Sequence, residues 1–150
     1  MKFLIINGPN LNLLGQREPD IYGRRTMADI LAELDSEFAE DDIDYYQSNH
    51  EGELIDRLHE AGYGDEPCDG IVLNAGGLTH TSVSLADAVA AIPVPVVEVH
   101  LSNIAAREEW RRRSLLAPVC RGSICGFGPA VYALALGALR AREASDMSQR

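Results

Sequence analysis

The chain has 150 residues, 46% of them hydrophobic and 24% charged, which is typical of one globular domain with a sizeable core. Its formal net charge of −10 argues against a nucleic-acid-binding protein. The one candidate for a basic stripe, Arg111-Arg112-Arg113, is short and is equally typical of a solvated helix face.

The first half of the chain predicts two strand–helix units. An apolar run at residues 2–6 predicts the first strand, and Thr26 is a suitable N-cap for the helix that follows. The apolar face of that helix comprises Met27, Ile30, Leu31, Leu34 and Phe38. Residues 43–47 predict the second strand, after which Ser48 or Asn49 would cap a second helix. The inward residues of this helix are Leu54, Ile55, Leu58 and Ala61.

The second half continues the alternation. Strands are predicted at residues 71–73, 96–99 and 119–125. Helices are predicted at residues 82–91, 105–113 and 130–142. Five strand–helix units predict a single α/β domain, in which one parallel sheet carries helices on both faces through right-handed crossovers. We expect residues 144–150 to form a frayed tail.

The three cysteines, Cys68, Cys120 and Cys125, are odd in number and show no spacing typical of a metal site. Reduced thiols in a cytosolic protein are the simplest interpretation. The apolar run at residues 3–6 is too short for an export signal or a membrane span. We therefore expect a cytoplasmic protein that does not associate with membranes.

Polar residues follow four of the predicted strands, at the edge where open α/β sheets bind their ligands. These loops are Asn7-Gly8-Pro9-Asn10, Gln47-Ser48-Asn49, Asn74-Ala75-Gly76-Gly77 and His100-Leu101-Ser102-Asn103. Turn chemistry alone explains any one of them. Four loops with amides and hydroxyls at one edge of the same sheet favour a site for a polar ligand.

Glu98 and His100 stand two residues apart at the end of an apolar run, so they point to the same face of the fourth strand. A carboxylate in such a run is costly to bury unless it is paired. Glu98 could hold the His100 ring in one tautomer and leave its other nitrogen free for proton transfer. The alternative is a buried polar pair that only stabilises the edge of the sheet.

The segment from residue 15 to residue 25 is long and polar and lacks clear periodicity, as lids over active sites often do. It carries Arg17 and Tyr22. A tyrosine hydroxyl with its ordinary pKa of about 10 is a weak base at neutral pH, but a neighbouring guanidinium favours the phenolate. The alternative is that both residues are ordinary surface residues.

Taken together, the motifs resemble those of the type II dehydroquinases from the first strand to the last helix. In the first 53 residues of the chain, the matching stretches are residues 6–12, 17–19, 21–23, 47–49 and 51–53. In the rest, they are residues 73–82, 98–103 and 107–109. The resemblance implies a flavodoxin-like three-layer sandwich with a five-stranded parallel sheet. It also implies 3-dehydroquinate dehydratase activity, in aromatic biosynthesis or in quinate breakdown.

The resemblance implies roles for individual catalytic residues. Tyr22 matches the base that removes a proton from the carbon beside the ketone, and Arg17 matches the lid arginine that activates it. Asn10 matches the residue that stabilises the enolate together with an ordered water. His100 matches the acid that protonates the departing hydroxyl, and Glu98 matches its orienting partner. No metal or organic cofactor is implied.

Substrate-binding residues are implied in the same way. Asn74 and the backbone amides of Leu101 and Ser102 match the cradle of the substrate carboxylate. His80 and Arg111 match contacts to the ring hydroxyls of 3-dehydroquinate.

The resemblance also implies a homo-oligomer. The usual assembly is a dodecamer built from four trimers. Asp87 matches a residue that reaches towards the site of a neighbouring subunit.

Three other functions compete with this interpretation. A flavin or phosphate binder on the same fold lacks support, because no GxGxxG or phosphate loop follows the first strand. A serine hydrolase could pair Ser102 or Ser82 with His100 or His80, but no GxSxG elbow is present. A scaffold domain would leave the polar loops without a shared purpose.

Overall fold

The computed structural model describes residues 1–148, apart from the side chains of Tyr22 and of residues 142–148. The strands are β1 (Lys2–Asn7), β2 (Asp42–Gln47), β3 (Gly70–Asn74), β4 (Val96–His100) and β5 (Gly122–Cys125). The helices are α1 (Pro19–Tyr22), α2 (Met27–Glu37), α3 (Glu51–Tyr63), α4 (Val83–Ala91) and α5 (Ala130–Ser148). The strands pair in parallel in the order β2-β1-β3-β4-β5, which is the flavodoxin-like order. The predicted α/β sandwich is confirmed.

Two separate cores cover the two faces of the sheet, and β1 shows how the sequence divides them. Phe3 and Ile5 point into the core that packs beneath α2 and α5, whereas Leu4 and Ile6 point into the core beneath α3 and α4. This alternation follows from the period of two residues along a strand. A central strand that is buried on both faces therefore appears in the sequence as a continuous apolar run.

Of the two predicted helix caps, Thr26 is confirmed and Ser48 or Asn49 is wrong, and a third cap, Ser82, had not been predicted. Thr26 caps α2 in a capping box with Asp29, and Ser82 caps α4 by accepting the backbone N–H of Leu85. The prediction that Ser48 or Asn49 caps α3 is wrong, because the N-cap is His50 and its side chain makes no capping bond.

The predicted helix at residues 105–113 is absent, and two short 3₁₀ turns replace it, Ile104–Ala106 and Glu109–Arg111. The segment offers no continuous apolar stripe to pack on a core, and packing provides most of the stability of a helix this short. The segment instead runs along the carboxyl edge of the sheet and brings Arg107 and Arg111 close to it.

The last strand and the last helix also differ from their predicted bounds. β5 begins at Gly122, because Ala117–Val119 forms a 3₁₀ turn around Pro118, which cannot donate to a strand ladder. α5 extends past residue 142, so the expected tail is helical as far as Ser148, and residues 149–150 lie outside the described part of the chain. Within residues 1–148, no helix is both long and apolar enough to cross a bilayer.

β1 and β3 approach each other closely where they end, and Gly8 makes this approach possible. The Gly8 N–H donates to the Asn74 carbonyl over 2.7 Å, and a Cβ on Gly8 would lie 2.5 Å from the Ala75 carbonyl oxygen. No side chain fits in that gap. The two polar loops that follow β1 and β3 are therefore held side by side, at the point where the strand order reverses.

Candidate active site

A cleft lies at the carboxyl ends of β1, β3 and β4. Its volume of about 150 Å³ is below the roughly 300–1,000 Å³ typical of pockets for drug-sized ligands, so it suits one small molecule. The predicted site residues that line it are Asn10, Arg17, Asn74, His80, His100, Leu101, Ser102 and Arg111. Three of the four predicted loops thus converge on one space.

Glu98 lies beneath the cleft and is completely buried in β4. Its Oε1 is 2.8 Å from His100 Nε2 and 2.5 Å from the Ser114 hydroxyl, and its Oε2 accepts the Ser123 hydroxyl over 2.8 Å. Burial raises the pKa of the Glu98 carboxyl, but the hydrogen bonds from His100, Ser114 and Ser123 outweigh burial, so the pKa lies below its ordinary value. Glu98 is therefore a buried carboxylate with three donors.

An ionised Glu98 determines the tautomer of His100. Because the carboxylate can only accept, His100 must donate its Nε2–H to it, and the other ring nitrogen, Nδ1, is left for the cleft that the residue lines. The His100 ring is nearly buried, which restricts its rotation. The arrangement provides one oriented imidazole nitrogen that can hold or release a proton.

A second histidine stands beside the first. The rings of His80 and His100 are stacked with centroids 6.4 Å apart, and the edge of Trp110 meets His80. His80 donates its Nδ1–H to the Arg113 carbonyl over 2.7 Å, which leaves its Nε2 for other contacts. The Arg111 guanidinium lies 4.0 Å from the centre of the Trp110 ring. His80 and Arg111 therefore share one wall of the cleft.

The loop that follows β2 holds the backbone of Asn10, which lines the cleft. Asn10 has a left-handed backbone with φ 70°, and its N–H donates to the Asn49 Oδ1 over 2.9 Å. The same oxygen accepts the Gln47 side-chain amide over 3.1 Å. These contacts explain why Asn49 is not the cap of α3, and Ser48 is likewise engaged, with the Glu53 carboxylate and the His50 N–H.

The predicted lid meets the cleft through Arg17, which lines it and lies 3.5 Å from the Glu18 carboxylate. The segment contains one short helix, α1, which sequence periodicity did not indicate. Tyr22 is the last residue of α1, and its side chain lies outside the described residues. The proposed base therefore stays a prediction.

Asp87 and Ser82 do not line the cleft. Asp87 is exposed on α4 and does not line the cleft. Ser82 is buried, donates to the Glu51 carboxylate and accepts the Leu85 N–H, so its hydroxyl is committed to the cap of α4. This engagement argues against Ser82 as a hydrolase nucleophile.

Sequence reasoning gave no role to several residues that shape the site. Arg107 lines the cleft, and its Nη1 donates to the Ser102 hydroxyl over 3.3 Å. Ser114 and Ser123 hold Glu98, and Tyr132 reaches Asn74 from α5. Among the residues that the structure describes, no cluster of three or more His, Cys, Asp or Glu side chains is placed to bind a metal ion.

Comparison with known proteins shows which family this chain is similar to. A family model described as "Dehydroquinase class II" matches residues 1–140. The 3-dehydroquinate dehydratase of Rhizobium johnstonii is 56% identical over 138 residues, which cover 91% of this chain and 93% of that protein. That of Bacillus licheniformis is 57% identical over 136 residues, covering 89% and 91%. The crystal structure of the type II dehydroquinase from Butyrivibrio crossotus matches with a TM-score of 0.88 at 42% identity, covering 93% of this chain and 97% of that one.

The Glu98 hydrogen bonds predict a pH-dependent contribution to stability. A carboxyl whose folded pKa is depressed stabilises the fold above its unfolded pKa of about 4.3, and this stabilisation is lost as the pH falls through the folded pKa. Replacing Ser114 by Ala removes one donor and raises the folded pKa of Glu98. We expect the free energy of unfolding, measured in urea, to fall by about 1–3 kcal/mol at pH 7.

The difference between the Ser114→Ala protein and the wild type should shrink as the pH falls through the folded pKa of Glu98. Ser84→Ala, at an exposed position on α4, is the matched control and should show no such pH dependence. A difference that is the same at every pH would contradict the prediction. It would mean that Ser114 acts only by capping the Leu116 and Ala117 N–H groups.

Proposed function

The chain belongs to the class II dehydroquinase family, and from that premise we propose that it removes water from 3-dehydroquinate to give 3-dehydroshikimate. The observation that carries this proposal is the His100 imidazole, which a buried carboxylate orients towards a small polar cleft. The same reaction serves aromatic biosynthesis and quinate breakdown. The enzyme is a hydro-lyase.

The cleft suits a small hydroxylated carboxylate. Asn74 and the backbone around Leu101 and Ser102 lie at the ends of β3 and β4, where amide N–H groups can cradle an anion. Arg111 adds positive charge to the lining of the cleft, and His80 presents a ring nitrogen to a hydroxyl. These residues supply donors for one carboxylate and several ring hydroxyls.

His100 is the proposed general acid. Hydroxide is a poor leaving group, so the departing hydroxyl must be protonated as its bond to carbon breaks. Since the His100 Nε2–H is held by Glu98, Nδ1 is the nitrogen that carries the proton to the hydroxyl. The Glu98 carboxylate also stabilises the positive charge on the ring before the transfer.

Tyr22, activated by Arg17, is the proposed base, and it removes a proton from the carbon beside the ketone. The developing enolate needs donors placed in advance, and Asn10 lies at the cleft in a backbone conformation fixed by Asn49. Arg17 stands at the cleft from the lid side, as an activating arginine must. An ordered water beside Asn10 completes the proposed stabilisation of the enolate.

A covalent route through a lysine Schiff base does not fit the chain. Its one lysine, Lys2, lies at the amino end of β1, whereas the cleft lies beyond the carboxyl ends of the strands. The hydrogen bond with Glu66 raises the pKa of Lys2, while a Schiff-base lysine must react as the neutral amine. We therefore propose a direct enolate route.

We further propose that the enzyme assembles as trimers, four of which form a dodecamer, with Asp87 directed towards a neighbouring subunit. Asp87 is exposed and does not line the cleft of its own subunit, which suits a residue that acts in another subunit.

The test of the proposed function is the ultraviolet absorbance of the conjugated enone product after 3-dehydroquinate is added. We expect wild-type turnover and a loss of roughly 10²–10⁴-fold in the His100→Ala protein, because the leaving group loses its acid. Glu98→Gln should slow turnover less, since the ring remains. A His100→Ala protein that folds and reacts at nearly the wild-type rate would refute the assignment.

The lid residues predict a characteristic pH profile. Tyr22→Phe should lower kcat by roughly 10²–10⁴-fold, because the base is removed while the ring is kept. Arg17→Ala should raise the pKa of the phenol and move the acidic limb of the pH–rate profile upward by about one to three pH units, since activity requires the phenolate. An unchanged limb would show that Arg17 does not tune the base.

The assembly is tested by light scattering coupled to size-exclusion chromatography. We expect a particle of trimeric or dodecameric mass for the wild type at micromolar concentration. Asp87→Ala should reduce turnover without changing the fold of the subunit. A monomer that is fully active would contradict both parts of this proposal.

A further inference from the structure

Three polar side chains from three different elements meet beneath the cleft. Asn7 ends β1, Asn74 ends β3, and Tyr132 lies in the first turn of α5. The Tyr132 hydroxyl is 2.8 Å from the Asn7 Oδ1 and 3.2 Å from the Asn74 Nδ2. Tyr132 and Asn7 are completely buried, and Asn74 is nearly so. Polar groups in such a place are costly unless every one of them is paired.

The backbone determines how the Asn74 amide is oriented. The Gly76 N–H, which can only donate, points at one end of that amide over 3.3 Å, so the oxygen Oδ1 must occupy this end. The nitrogen Nδ2 therefore faces Tyr132 and donates to its hydroxyl. A flipped amide would place N–H groups against the Gly76 N–H.

The direction of the hydrogen bonds then continues through the cluster. Because the Tyr132 hydroxyl accepts from Asn74, its own proton goes to the Asn7 Oδ1. The Asn7 Nδ2 in turn lies 3.4 Å from the Tyr45 hydroxyl and 3.3 Å from the Met27 sulfur. Burial raises the pKa of Tyr132, so its hydroxyl keeps its proton at any working pH. The hydrogen bonds therefore run in one direction, from Asn74 through Tyr132 to Asn7.

One hydrogen of the Asn74 Nδ2 remains after Tyr132 has accepted the other. Asn74 lines the cleft, so this hydrogen is available to a ligand, while the amide oxygen is turned towards Gly76. We propose that Tyr132 is a positioning residue that locks Asn74 as a hydrogen-bond donor in the cleft. The position thereby selects an anionic oxygen, such as a substrate carboxylate, over a donor group.

This inference rests on the proposed function, in which Asn74 binds the carboxylate of 3-dehydroquinate. Tyr132 does not touch the substrate and acts through Asn74. A side chain of this kind affects how tightly the carboxylate is held in both the ground state and the transition state. Its loss should therefore raise KM and leave kcat nearly unchanged.

The test is the Tyr132→Phe protein, which loses the hydroxyl and keeps the packing of the ring. The Asn74 amide loses the acceptor that fixes it, and we expect KM for 3-dehydroquinate to rise about tenfold with kcat within about twofold of wild type. Tyr63→Phe, which removes an exposed hydroxyl that donates to the Ala91 carbonyl, is the matched control and should leave both constants unchanged.

A double-mutant cycle separates positioning from general stability. In an Asn74→Ala background, Tyr132→Phe should add no further rise in KM, because the group that it positions is gone. A merely structural role would lower the melting temperature of the Tyr132→Phe protein and leave KM at the wild-type value. That result would overturn the inference.

A second variant tests the direction of the hydrogen bonds from the other end. Asn7→Leu removes the acceptor of the Tyr132 proton at similar volume, so this proton turns towards Asn74 and competes with its donor role. We expect KM to rise here as well, which keeps the test valid if Tyr132→Phe does not fold. An unchanged KM in the folded variants overturns the inference alone, whereas a wild-type chain that does not turn over 3-dehydroquinate overturns the proposed function with it.

Discussion

The buried Glu98 carboxylate is the constraint on which the arrangement of the site depends. An ionised group with no exposed surface is tolerated only when donors surround it, and here the donors come from three parts of the chain. His100 lies on the same strand, Ser123 lies opposite on β5, and Ser114 belongs to the segment between β4 and β5. Satisfying one carboxylate therefore fixes the edge strand, this segment and the imidazole together.

Other ionisable groups near Glu98 do not disturb this arrangement. Burial raises the pKa of the Cys120 thiol to about 12 and also raises that of Cys125, so both are neutral at the pH where the carboxylate is charged. The Cys125 sulfur lies 3.6 Å from the Ser123 hydroxyl, whose proton is already committed to Glu98. The thiols thus act as neutral neighbours, and the negative charge stays on Glu98 beneath His100.

Much of this fold follows from local patterns, whereas much of the site depends on contacts between distant residues. The apolar run of β1 and the Thr26 cap of α2 could be predicted from the sequence, because both depend on neighbours within a few residues. Ser114 and Ser123 are 16 and 25 residues from Glu98, and Tyr132 is 125 residues from Asn7. In sequence, Tyr132 is one more large residue on the apolar face of a helix, and only tertiary structure shows that its hydroxyl meets two amides.

The polar loop after β2 shows how a correct observation can lead to a wrong assignment. Its side chains lie at the carboxyl edge of the sheet, as predicted. The prediction that Ser48 or Asn49 caps α3 was wrong. In the structure, the Asn49 Oδ1 holds the backbone of Asn10, and the Gln47 amide donates to the Gly8 carbonyl. A helix cap and a loop brace require the same residue types, because both consist of side-chain oxygens that accept backbone N–H groups. The sequence therefore could not distinguish between them.

The floor of the cleft and the predicted lid differ in the range of their hydrogen bonds. Buried hydrogen bonds join the floor residues to distant parts of the chain. The backbone hydrogen bonds described for residues 16–23 instead join residues no more than four positions apart. One example is the bond from the Gly23 N–H to the Pro19 carbonyl. A Cβ on Gly15 would lie 2.8 Å from the Arg24 carbonyl oxygen, so the two ends of the segment are in contact. A surface segment whose two ends lie this close together is typical of an Ω-loop. In the proposed mechanism, a lid that is anchored apart from the acid and the carboxylate-binding residues admits the substrate without breaking the hydrogen bonds that orient His100 and Asn74.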